Sequence, residues 1–133
     1  MSKIALSWDN GDKTVVRMTF KNWWTVDDYY VAFEQFGHMA GQQPHTVHCI
    51  ADFSRSEGFL GHLLKDIPML ETYLPLNYGL CVIVDASYQV ETMFSIAHRV
   101  APTVFGSVRF ANDLDEGRQR IHEEGYPRCA AAD

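Results

Sequence analysis

A chain of 133 residues suits one domain, because folded units cluster near about 100 to 150 residues. A hydrophobic share of 47%, with eight Phe, six Tyr and three Trp, can fill a sizeable core, and a charged share of 21% excludes a disordered chain. Seventeen acidic against eleven basic side chains give a formal charge of −6, which argues against nucleic acid or anionic lipid as a partner.

Residues 1–6 lack the pattern of a secretory signal, and no apolar run approaches the roughly 20 residues of a membrane span, so the expected location is the cytoplasm. Cys49, Cys81 and Cys129 are odd in number and have no Cys-x-x-Cys spacing, which points to reduced thiols rather than a disulfide framework or a zinc knuckle.

Ile4, Leu6 and Trp8 alternate with Lys3, Ala5 and Ser7, and residues 14–20 alternate again after the turn Asp9-Asn10-Gly11-Asp12, so the chain opens with an antiparallel hairpin. Thr25 and Asp28 form a capping-box pair at the start of a helix that Gly41 ends, with Val26, Tyr30, Phe33 and Ala40 on one face. Trp24 is placed to staple onto Tyr29 across the first turn. Residues 47–53 and 79–84 are apolar runs of strand length, as expected of strands covered on both faces. Between them, residues 59–74 have helical spacing broken at Pro68. Ser87 caps a further helix through Val100 with Val90, Met93, Phe94, Ala97 and Val100 as its buried stripe. A strand at residues 107–110 and a last helix capped by Asp113, with Glu116 at the third position, complete a domain over residues 1–125, followed by a frayed tail at 126–133.

The resulting order is β-β-α-β-α-β-α-β-α, an α/β fold with a mixed sheet, an N-terminal antiparallel hairpin and right-handed crossovers between parallel strands from the third onward. In open sheets of this kind ligands gather beyond the carboxyl ends of the strands. Asp52 and Asp85 fall there, as an acid/base or metal-holding pair or, more simply, as acceptors for turn amides. The stretch Asp52-Phe53-Ser54-Arg55-Ser56-Glu57-Gly58 reads as a strand-to-helix loop whose hydroxyls and arginine meet the free amides of a helix start, with Ser56 nearest that start. The six histidines show no metal-ligand spacing, and no catalytic triad is assembled, so neither a metal nor another cofactor is expected. Trp23 and Trp24 cannot both face the core of an extended chain, which makes one of them a candidate contact for self-pairing into a homodimer.

The opening hairpin, the helix after Trp23-Trp24-Thr25, the strand ending Ile50-Ala51-Asp52, the apolar strand at 80–84 and the close Phe110-Ala111-Asn112-Asp113-Leu114-Asp115-Glu116 together resemble a SpoIIAA-like, STAS-type domain, a fold shared in outline with CRAL-TRIO lipid-binding proteins. The resemblance spans about residues 1–123. It implies a regulatory or protein-interaction module, with a domain binding a small apolar ligand or lipid as the alternative and an enzyme using Asp52 and Asp85 as a more distant one. In STAS-type antagonists a phosphorylated serine or threonine directly follows an aspartate and precedes a glycine. Here Phe53 follows Asp52 and the glycine waits until Gly58, so the resemblance does not carry the phosphoswitch onto Ser54 or Ser56.

Overall fold

The computed structural model describes residues 3–60, 75–100 and 107–125. Five strands form one sheet in the spatial order β1 to β5: β1 (Ile4–Trp8), β2 (Val15–Thr25), β3 (Val47–Leu60), β4 (Tyr78–Val84) and β5 (Val108–Ala111). Only the β1–β2 hairpin is antiparallel, and every later neighbour pairs parallel, so parallel pairing begins one strand earlier than the sequence suggests. Three α-helices accompany the sheet among the described residues: α1 (Val26–Gly41), α2 (Tyr88–Val100) and α3 (Leu114–Arg120), the last running into a π-helical turn, Ile121–Gly125. The helix expected within residues 59–74 lies outside the described residues from 61 onward, as does the tail from 126.

Local chemistry explains the boundaries. The Thr25 hydroxyl accepts the Asp28 amide at 3.1 Å while the Asp28 carboxylate accepts the Thr25 amide at 2.8 Å, closing the capping box that starts α1. The Ser87 hydroxyl accepts the Val90 amide and caps α2. At α3, Asp113 accepts the Glu116 amide at 2.8 Å, but the Glu116 carboxylate reaches past the cap to the Asn112 amide. Asn77 was not legible as a structural residue, yet its side-chain amide donates to the carbonyls of Ala40 and His45 at 2.7 and 2.8 Å, pinning the end of α1 beside the entry to β3.

The sheet is covered on both faces. Under α1 and α2 lies an aromatic-rich layer in which Phe20 stacks on Phe53 at 4.2 Å and meets Trp24 edge-on at 4.9 Å. Such pairs each contribute about 0.5 to 1.5 kcal/mol beyond their buried area. The stripe of α2 is buried at Val90, Met93, Phe94 and Ala97 as expected. On the other face Val15, Ile50, Val82 and Val84 pack with Ala111, Leu114 and Ile121.

A charged clasp ties the hairpin turn to α3 across the sequence. Arg118 donates two hydrogen bonds of 2.9 Å to the buried carboxylate of Asp9, and Arg17 lies 3.3 Å from the same group. The hydrogen bond from Arg118 holds the Asp9 carboxyl below its usual range, against burial that works the other way. A depressed carboxylate contributes stability that is present above its unfolded value, 3.8, and is lost as pH falls through the folded value. Urea unfolding followed against pH is expected to show an acid-side loss of stability that flattens in Asp9→Asn.

Candidate functional site

The decisive feature is the length of β3. Residues 54–58 were expected to leave the strand as a loop before a helix; instead they continue β3, pairing Lys21 with Arg55, Asn22 with Ser56 and Trp23 with Gly58. The physical reason is a pair of bulges. Between Thr19/Asp52 and Lys21/Arg55, and again between Asn22/Ser56 and Trp23/Gly58, β3 advances one residue more than β2. Each extra residue breaks the period-two alternation by which a strand is recognised, so this stretch carries a strand without a strand pattern. Asn22, at a φ of 53°, and Gly58, at a φ of 150°, supply the backbone conformations at the second bulge. The Trp23 ring lies against Gly58 so closely that a Cβ there would stand 2.6 Å from it.

Because β4 ends at Val84, opposite Asp52, the β2–β3 pair runs on past the end of its neighbour. This overhang has two consequences. Ser56 is not at a helix start, so the helix-dipole site expected for it does not exist; its hydroxyl accepts the indole N–H of Trp24 at 3.0 Å. Ser54 and Arg55 are exposed on the overhang.

Two open clefts flank Ser54. One, of about 320 Å³, lies between the overhang at Phe53, Ser54, Ser56, Glu57 and Gly58 and the β4–α2 turn at Asp85, Ala86 and Ser87. The other, of about 420 Å³, is bordered by Asp52, Ser54 and Asp85 together with Asn112, Asp113, Asp115 and Arg118 at the start of α3. Ser54 and Asp85 border both clefts and form the ridge between them. Of the residues singled out from the sequence, Ser54, Ser56, Gly58 and Asp85 border the first cleft and Asp52, Ser54 and Asp85 the second, while Arg55 borders neither. The α3 contribution was missed, because Asp113 and Asp115 read only as helix-start residues.

The carboxylates already hold local structure. Asp52, buried, accepts the Ser54 amide at 2.9 Å, the turn-like role that is the simpler reading of this residue. Asp113 caps α3, and Asp115 lies 3.4 Å from Arg118. Asp85 is exposed in the left-handed region, φ 55°, and its amide donates to the Ala111 carbonyl at 3.0 Å, joining β4 to the end of β5. No group of three or more His, Cys, Asp or Glu side chains able to hold a metal occurs among the described residues.

Trp23 and Trp24 divide as expected. Trp24 is fully buried with its ring 5.9 Å from Tyr29, whereas Trp23 is 51% exposed. The core beneath α1, lined by Phe20, Tyr29, Phe36, Cys49, Tyr78 and Cys81 among others, holds a void of only about 20 Å³. That is room for one water-sized molecule and not for a lipid chain. Among the described residues, no helix is long and apolar enough to cross a membrane.

No protein-family model and no curated protein matches this chain. Solved structures do. An uncharacterized protein of the DUF3478 family with a SpoIIAA-like fold, from Shewanella loihica PV-4, superposes with a TM-score of 0.61 at 17% identity, covering 90% of this chain and 94% of that one. The anti-sigma factor antagonist SpoIIAA in its unphosphorylated form superposes with a TM-score of 0.53 at 11% identity, covering 91% of this chain and 98% of that one. At these identities the likeness is one of architecture, and it agrees with the strand order, the opening hairpin and the helices described above: the chain has the SpoIIAA-like fold.

Proposed function

We propose that this chain is a non-catalytic regulatory or protein-interaction module that docks a protein partner on the Ser54–Asp85 ridge and the clefts beside it. The observation that carries the reading is the contrast, among the described residues, between two open clefts bordered by serine and carboxylate side chains and a core void of only about 20 Å³. A small apolar ligand needs an enclosed apolar pocket, whereas a polypeptide can lay its side chains into shallow clefts on either side of a ridge. The likeness to an anti-sigma factor antagonist, a protein that acts on other proteins, supports the same reading.

Asp85, Asp113, Asp115 and Glu57 make the clefts acidic, which favours a partner segment that presents Lys or Arg. A second reading, self-pairing through the exposed part of Trp23, is supported by that ring's 51% exposure. Light scattering showing only monomer at high concentration argues against that pairing.

Ser54 is exposed and its side chain is engaged in none of the hydrogen bonds described above, so Ser54→Arg is expected to leave the fold intact. Its bulk and positive charge on the ridge are expected to weaken partner capture from the native lysate about tenfold, equivalent to roughly 1.4 kcal/mol. Val31→Arg, an equally exposed change on α1, should leave capture unchanged. Equal capture by the wild type and Ser54→Arg, with both folded, would place the interaction elsewhere.

A further inference from the structure

We propose that Cys49 and Cys81 form a reversible thiol pair that closes to a disulfide across β3 and β4 when the protein meets a hydroperoxide. The two residues are direct register partners on neighbouring parallel strands, so their side chains leave the sheet on the same face. Both line the void under α1. Adjacent strands run about 4.8 Å apart, within the roughly 4.4 to 6.8 Å Cα separation that a disulfide accepts. The Cys49 thiol is held protonated, well above its ordinary value, first by its hydrogen bond to Cys81 and then by burial.

Exposure assigns the order of events. Cys81 is half-buried and Cys49 fully buried, so an oxidant reaches Cys81 first. A sulfur lone pair of Cys81 attacks one oxygen of hydrogen peroxide; the O–O bond breaks, the departing hydroxide takes the thiol proton as water, and sulfur is oxidised to the sulfenic acid. The adjoining void of about 20 Å³ is large enough for the added oxygen. Cys49 sulfur then attacks the Cys81 sulfur, the S–O bond breaks, and the hydroxyl leaves with the Cys49 proton as a second water. The sum is two thiols and one peroxide giving one disulfide and two waters. Because Cys81 is half-buried, its sulfur stays open to attack by a dithiol, which makes the closure reversible.

The test is peptide mapping of the whole chain after treatment with hydrogen peroxide, alkylation of remaining thiols and digestion without reductant. The expected product is a linked peptide pair through Cys49 and Cys81, lighter by two hydrogens, on a chain that stays uncrosslinked to others and recovers both thiols with dithiothreitol. Cys81 found as sulfinic or sulfonic acid beside an alkylatable Cys49, links only through Cys129, or both thiols left unreacted would each overturn the proposal. In Cys49→Ala, where no second sulfur can resolve the intermediate, dimedone should label Cys81. A folded Cys49→Ala chain that takes no label contradicts the assigned order, and the wild-type map decides the pair should this variant not fold.

Discussion

Trp24→Ala is expected to lower folding stability by about 3 to 5 kcal/mol, the range for truncating a fully buried large aromatic. Its ring is closed in by Phe20, Tyr29 and Phe53 at centroid distances of 4.9 to 5.9 Å, and its indole N–H is bound by Ser56. Truncation therefore opens a cavity and removes the donor held by the overhanging part of β3. Trp23→Ala, one residue away but half-exposed, should cost about 1 kcal/mol or less. Urea unfolding of the two variants measures the difference directly. Similar losses from both would mean that the indoles are not divided between core and surface as described.

Gly79→Ala is expected to cost about 1 to 3 kcal/mol, the usual penalty for an atom forced into filled space. A Cβ on Gly79 would overlap the His48 ring at Nδ1 and stand 2.8 Å from the Thr46 methyl. His48 is buried, with a Cβ on Gly125 also only 2.9 Å from its Cε1, so the imidazole sits between two glycine backbones. Its Nδ1 accepts the Leu80 amide at 2.9 Å, and burial lowers its pKa from the ordinary 6.5. The neutral ring is thus part of the β3–β4 junction. Since the folded value is the lower one, the contribution is full above pH 6.5 and declines as pH falls toward the folded value. An unchanged melting midpoint for Gly79→Ala would contradict this packing.

The elements that follow one period along their length were legible in the sequence. The hairpin, the Thr25–Asp28 start of α1, the all-apolar β4 and the stripe of α2 each satisfy a single local rule, and the structure contains all of them. The far half of β3 was not legible, because its two bulges shift side chains between faces and leave Ser54-Arg55-Ser56-Glu57-Gly58 without alternation. The same missing alternation hides the role of Ser56, which reads as a helix-start residue in the sequence and holds Trp24 in the structure. The site was legible in part. Rules for strand ends located Asp52, Ser54 and Asp85, but not the bulges that turn Ser54 into a ridge, nor the packing of α3 that brings Asp113, Asp115 and Arg118 to its far side.

Native mass spectrometry of the chain purified from its own source tests docking on the Ser54–Asp85 ridge most directly. The expected spectrum shows the 15.2 kDa chain bound to another polypeptide, a different protein or a second copy, and this complex is lost in Ser54→Arg while the free chain remains folded. A stoichiometric small-molecule adduct on the bare chain, present in the wild type and in Ser54→Arg alike, would contradict it.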